Sequence, residues 1–552
     1  MSSRHSTRLL VSTAFLAALA AASPFASAGV TIEKVASTGD PAPGTACTYS
    51  NFFAPFIGYD GQIGYQTYLK QGAANIGTAA YLGSPASSTM LAIGGQPAPG
   101  TGANFGGYLP YIYDAGAGNA LFADSLSTSI SSRAIFFGAP GSATAVAVTG
   151  QQAPGVPAGN TFSDLNIAPA ICGSQILISA ALNGSTDNST ATDAGYWAGT
   201  LGNLQLLARL GSAAPGTAST FAGLASTKIN ANGLATFYGN LATTPQLGTP
   251  YAVAGIDSSG GFEGLWAGTP GNVQLIARAG NPTPASAALP AGSTFGIFIS
   301  GGTALNNAGQ MAFPSMLTIP GSTGTPTGLW FRDPATGIAL VAKTGDTVPG
   351  LVDGTQFDNV TSSPPEINHS GAMVFGASLT GPTVTGNNNR ALIDGTPGHL
   401  QMILRTGDAV PGIPGATFVT LDHFAINDSG DVLIQAFFSG VPSNNYGVFL
   451  YRPGVGLSEV LRAGDAITLG PGDTRTMTMN PGGYVYMSPI TNSGTEDGRD
   501  SGFNNADQFP LQLWFTDGST AIVRATALAN IPEPATLGLL ALSSLCLLRR
   551  RR

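Results

Sequence analysis

Side chains able to do acid–base or metal chemistry are scarce in this chain. Four of its 552 residues are histidine, three are cysteine, and only 9% carry charge. His5 falls in an N-terminal leader, and His369, His399 and His423 lie too far apart to suggest a metal pair. No Ser sits in a G-x-S-x-G elbow, no H-E-x-x-H occurs, and no cysteines have zinc-site spacing. The sequence therefore offers no catalytic residues, no metal ligands and no cofactor site. Basic groups are fewer than acidic ones, 21 against 29. That balance argues against nucleic acid as a partner, because affinity for it comes largely from neutralising phosphates. With so little charge, the surface must be mostly Gly, Ser, Thr, Asn and Gln. Helical periodicity is missing everywhere except at the two ends.

Those ends are informative. Arg4 and Arg8 precede an apolar run, Leu9 to Ala22, and then S-P-F-A-S-A with small Ala26 and Ala28 at the positions a signal peptidase inspects. A helix-breaking Ser-Pro and strand-like V-T-I-E-K-V-A follow, so residues 1–28 read as a signal peptide rather than a buried helix. At the other end stand Pro532-Glu533-Pro534, an apolar stretch and Arg549, Arg550, Arg551 and Arg552. As a helix, Ala535 to Leu548 would rise only about 21 Å, short of a hydrocarbon core of about 30 Å. The arginines belong on the cytoplasmic side, which leaves the body outside the inner membrane.

This three-part tail, residues 531–552, resembles a PEP-CTERM sorting signal. The resemblance implies an exosortase-type transpeptidase as partner in a Gram-negative bacterium, and transient contact with the inner membrane through a short C-terminal helix. It implies processing near the Pro-Glu-Pro step, then delivery to the cell surface, outer membrane or extracellular matrix. Without the six arginines of the two ends the body keeps 15 basic groups of the 21, against 29 acidic if Glu533 stays. Cys546 sits in the tail. Cys47 and Cys172 remain, and an oxidising compartment permits them to pair, although they belong to non-adjacent repeat units.

Residues 29–530 are organised by a repeat. A short β-like run, a Gly turn and usually Pro-Gly recur, as in KVASTGDPAPGT, LAIGGQPAPGT and MILRTGDAVPG. The turn glycines are Gly39, Gly95, Gly150, Gly211, Gly280, Gly345, Gly407 and Gly464, spaced 55 to 69 residues apart. A second signature, Asn-x-x-Gly with an apolar residue four further on, is clearest at Asn230/Gly233, Asn306/Gly309, Asn368/Gly371 and Asn427/Gly430. Gly61, Gly118 and Gly173 keep the spacing without Asn, and Gly483 with Met487 is the expected counterpart in the eighth unit. Asn bonds its own backbone and Gly supplies positive φ, so N-x-x-G closes a hairpin. A third strand carries Trp197, Trp266, Trp330 or Trp514, and a last strand, Thr520 to Thr526, stands without the Gly turn.

Four antiparallel strands per unit of about 60 residues predict an all-β fold, a β-propeller of eight four-stranded blades, with seven as the alternative. Lone blades cannot bury both faces, so they must stack and close a ring. The extra N-terminal strand, Thr31 to Ala36, is expected to pair with the end of the chain. The body also resembles the anchored repeat family named for its NxxGxxAF motif, best at Asn306–Phe313 and Asn368–Phe375. That likeness implies a secreted repeat protein and no known chemistry.

Asp40, Asp346 and Asp408 follow turn glycines, but Gln96, Gln151, Ser212 and Asn281 replace them elsewhere, so they read as turn-formers. Asn492 to Phe509 holds several acids and could bind Ca²⁺ weakly, although a solvated loop is the simpler reading. The tryptophans read as packing between blades. The turns after the anchor glycines and the loops between second and third strands share one face, and those loops vary most. The leading expectation is a monomeric, non-enzymatic surface or matrix protein that binds exopolysaccharide or another surface protein, with a possible link to biofilm. The alternatives are a propeller-fold polysaccharide lyase or glycosidase, and a protein-binding scaffold.

Overall fold

The structure is a computed structural model that describes residues 29–85, 87–107, 112–127, 129–166, 168–183, 194–242, 263–299, 302–441, 444–479, 496–498 and 502–528. All regular structure among them is β. Blade 5 shows the plan. Its inner strand is Thr294–Phe298 continued by Ala304–Leu305, followed outward by Met311–Thr318, Thr327–Asp333 and Gly337–Lys343, all antiparallel. Second strands are buried on both sides, because alternate residues meet different neighbours. Phe313 packs with Trp330 and Phe295 toward blade 4, while Ala312 meets Ile367 of blade 6.

Eight such sheets form the ring. The eighth is assembled from both ends of the chain. Asp473–Thr478, Gln508–Phe515 and Thr520–Ala527 are joined by Val30–Ser37, which pairs along Val30↔Ala527 to Ser37↔Ala521 as the outer strand. The expected closure by the N-terminal strand is thus observed, and the blade count is eight.

The core lies in the seams. Eight main apolar clusters each draw residues from two adjacent blades. The closing seam packs Ala36 and Ile522 of blade 8 against Tyr49, Tyr65 and Tyr81 of blade 1. Trp197, Trp266 and Trp330 are fully buried in these seams. Burying each large apolar side chain contributes about 1.5–3 kcal/mol, and an isolated blade would forfeit both its seams.

Each anchor glycine follows an outer strand with φ between 76° and 96°. At Gly39 a Cβ would meet nothing within 4 Å, so backbone conformation and not space demands glycine there. Its N–H donates to Tyr49 O at 2.9 Å, and all eight anchors repeat that bond to the inner strand of the next blade. The following acid closes the turn: Asp346 Oδ2 accepts Lys343 N at 3.0 Å and Asp408 Oδ2 accepts Arg405 N at 2.7 Å. Gln151 Oε1 takes the same place by accepting Val148 N at 3.0 Å, so the position needs an acceptor, not a charge.

Residues 1–28, with Ala26 and Ala28, and residues 529–552, with the Pro-Glu-Pro step, the expected helix and the four arginines, lie outside the described residues. Among the described residues no helix is long and apolar enough to cross a membrane. Cys47 and Cys172 are free and buried, so the permitted bridge does not form.

Candidate functional site

The N-x-x-G turns converge on the axis, where their asparagines form a chain of cross-seam bonds. Asn230 Nδ2 donates to Asn306 O at 2.9 Å, Asn306 Nδ2 to Asn368 O at 2.9 Å, and Asn368 Nδ2 to Asn427 O at 3.1 Å. Each side-chain oxygen stays local: Asn230 Oδ1 accepts Asn232 N and Leu234 N at 3.0 Å. One residue thus closes its own turn and ties its blade to the next. All of these asparagines are buried, where an unpaired amide would be costly. Gly233, Gly309, Gly371 and Gly430 take φ from 76° to 85° in the left-handed slot.

The eighth blade corrects the sequence reading. Gly483 and Met487 lie outside the described residues, and the turn before the second strand is Asn504-Asn505-Ala506-Asp507. Asp507, with φ 56°, occupies the glycine slot, as Asp tolerates better than most residues. Asn504 Oδ1 accepts Ala506 N and Gln508 N, and its Nδ2 reaches Gly58 O of blade 1 at 3.1 Å. Asp507 also accepts Asn427 Nδ2 at 2.8 Å and Arg452 Nη2 at 2.7 Å. A search that allowed Asp in the fourth place would have found this turn.

Just before it, residues 496–498 are not part of a solvated loop. Glu496 and Asp497 are 6% and 0% exposed, because this short stretch lies in the central channel. There it bonds the inner edges of other blades, where strands have N–H groups free to pair. Ile171 N of blade 3 donates to Gly498 O at 2.9 Å, and Ile229 N of blade 4 to Asp497 O at 3.0 Å. Gly498 must be glycine: φ is 80°, and a Cβ would stand 2.9 Å from Ile229 O.

Glu496 completes a second chain of bonds, made across blades 4 to 8 by the residue after each asparagine. Ala231 N donates to Asn307 Oδ1, His369 N to Asp428 Oδ1, and Asp428 N to Asn505 Oδ1, at 2.8 to 3.0 Å. Between blades 5 and 6 the next residue is His369, and there Glu496 Oε2 accepts Asn307 N at 2.7 Å instead. Glu496 Oε1 accepts Asn307 Nδ2 at 2.8 Å and lies 3.0 Å from His369 Nδ1. That hydrogen bond and the carboxylate charge raise the His369 pKa above its ordinary value. Burial, with the Asp497 charge close by, pushes the Cys172 thiol up to about 12, so it stays protonated and unreactive near neutrality.

The structure therefore brings His369 to the axis but not the other two histidines. His399 begins the outer strand of blade 6, and His423 lies in the inner strand of blade 7, where burial lowers its pKa. In the stretch proposed for Ca²⁺, Glu496 and Asp507 face amide, imidazole and guanidinium donors, and Asp500 is outside the described residues. Among the described residues no three His, Cys, Asp or Glu side chains are grouped to hold a metal.

A family model described as "Family of unknown function (DUF7453)" matches residues 13–250 and 250–537. A PEP-CTERM protein-sorting motif matches residues 530–552. The likeness to the NxxGxxAF family rests on the quoted motifs alone. No curated protein matches the chain. Among solved structures, an acylaminoacyl peptidase shares 10% identity over 74% of this chain and 49% of its own, with TM-score 0.34. A puromycin-hydrolysing peptidase of Mycobacterium tuberculosis shares 13% over 75% and 60%, with TM-score 0.23. Aleuria aurantia lectin shares 11% over 65% and 95%, with TM-score 0.25. The chain thus spans roughly half to three-fifths of the two peptidases' lengths. Likeness this distant carries no argument about activity.

Proposed function

The chain belongs to the DUF7453 family of unknown function and ends in a PEP-CTERM protein-sorting motif, and from that premise we propose a non-enzymatic scaffold displayed at the cell surface or in the extracellular matrix. The sorting motif implies export across the inner membrane and processing by an exosortase. In this reading residues 1–28 are removed as a signal peptide after Ala26-Ser27-Ala28. The tail is cut near Pro532-Glu533-Pro534 once Arg549 to Arg552 have held it on the cytoplasmic side. The 29–530 ring is then released or attached as a monomer, and its partner is exopolysaccharide or another surface protein.

One observation carries the reading: the sorting motif is joined to a ring whose axial polar groups are already engaged with one another. Glu496 is bonded by Asn307 and His369, and Cys172 is a protonated thiol. Both serve cohesion. The described loops between second and third strands, such as 319–326 and 381–389, stand on the other face, where a rigid scaffold can present them.

Fractionating cells that make the full chain or a variant lacking residues 531–552 tests the sorting step. The full chain should reach the surface or medium, and the truncated one should not follow the same route. An unchanged distribution would remove the proposal. Glycan arrays and pull-downs with residues 29–530 then separate a sugar partner from a protein one.

A further inference from the structure

Turns between first and second strands and those between third and outer strands lie on one face of the disc, because neighbouring strands are antiparallel. In blade 7 the latter turn runs from Arg452 to Gly456. Blade 8 has no such turn. Its third strand ends at Ala527 and its outer strand begins at Val30, so both ends of the body emerge there. They are pinned together: Leu528 N donates to Gly29 O at 2.8 Å, Ala527 N to Asp507 O at 3.0 Å, and Arg452 Nη1 to Leu528 O at 2.9 Å. Pro532 follows Leu528 by four residues, which span at most about 14 Å when fully extended.

From this geometry, and resting on the sorting role proposed above, we infer that the N-x-x-G face at the seam of blades 7 and 8 is the surface that meets the membrane-embedded processing enzyme. The tail is too short to let the body turn over, since the seven residues of a strand such as Gly456–Arg462 alone rise about 23 Å, more than four residues reach. The leader and the tail leave from the same point, and both carry their arginines on the far side of an apolar run. A closed ring can therefore be tethered by both ends to one bilayer, with its opposite face directed outward. Had the two ends left opposite faces, only an open ring could have been held at both.

Two exposed valines mark the faces. Val455, 63% exposed, lies in the Arg452–Gly456 turn beside the exit, and Val352, fully exposed, lies in a connection on the opposite face. A photo-crosslinking amino acid is placed at either position in the full chain, in an exporting host that carries the processing enzyme. Val455 should yield an adduct of the unprocessed chain with that enzyme, and Val352 should not. A twelve-residue Gly/Ser spacer after Ala529, adding roughly 20 Å of root-mean-square reach, should leave cleavage intact and reduce the Val455 adduct several-fold. Equal adducts from both faces, no adduct from either, or indifference to the spacer would overturn the inference while cleavage continued. Mass spectrometry showing Arg552 retained on exported protein would instead sink the sorting role, and this inference with it.

Discussion

In blades 4 to 8 an Asn amide crosses each following seam at the axis, from Asn230, Asn306, Asn368, Asn427 and Asn504. Blades 1 and 2 have Gly58 and Ala115 at that position, and blade 3 turns on Gly173-Ser174, so none can supply the bond. The seam between blades 1 and 2 has a long substitute, Gly118 N to Asp60 Oδ2 at 3.4 Å. Between blades 3 and 4 the backbone of Asp497 and Gly498 bonds both inner strands. On its other side, toward blade 8, blade 1 is held by an aromatic layer in which Tyr65 and Tyr81 stack at 5.5 Å and the Tyr49 and Tyr65 hydroxyls bond at 2.9 Å. The contrast shows that an axial tie at a seam can be made either by a turn amide or by a distant stretch of backbone.

The largest expected effect lies in the amide-bearing half. Asn306→Ala strips a buried turn of its acceptor and the neighbouring blade of a donor. Each loss costs about 1–3 kcal/mol, so the unfolding free energy in urea should fall by roughly 3 kcal/mol. Asp60→Ala, at the weak 1–2 seam, should cost under about 1 kcal/mol. A reversed order would dissolve the distinction between the halves.

Gly498→Ala tests the backbone tie. The new Cβ would press on Ile229 O from a left-handed conformation, at a cost on the order of 2 kcal/mol. Alkylation of the native protein should report it, because the Cys172 thiol bonds Glu496 O at 3.5 Å and stays protected while the tie holds. Unchanged labelling would show that the axial segment does not brace blades 3 and 4.

Glu496→Ala leaves Asn307 N without its acceptor and should cost about 1–2 kcal/mol. Glu496→Gln, which keeps one acceptor oxygen, should recover part of that. The smallest effect belongs to His369. Its folded pKa is raised, so its pairing with Glu496 stabilises fully below the unfolded pKa and is lost as pH rises through the folded value. His369→Gln should therefore match the parent at pH 8 and melt slightly lower at pH 5.5. A gap that widened with pH would reverse the assigned sign.

Much of this was legible in the sequence. The period of about 60 residues, the anchor glycines and the hairpin at each N-x-x-G were readable because turn chemistry depends on residues two to four positions apart. Ring closure followed from an unmatched strand at each end. Asn504 to Asp507 was missed because Asp stood in a slot expected to hold Gly, and Glu496 because its burial depends on donors from blades 5 and 6.

Taken alone, the sequence determined the repeat, the turns, the sealed ring and the sorting motif at its C-terminal end, since all of these are written in short local patterns. Only the tertiary structure decided that a turn asparagine reaches a carbonyl 76 residues away, that Glu496 stands in for an acceptor His369 does not supply, and that both ends leave one face. The physical reason is that a hydrogen bond across a seam selects whatever group the closed ring brings within about 3 Å, and no spacing along the chain encodes that neighbour.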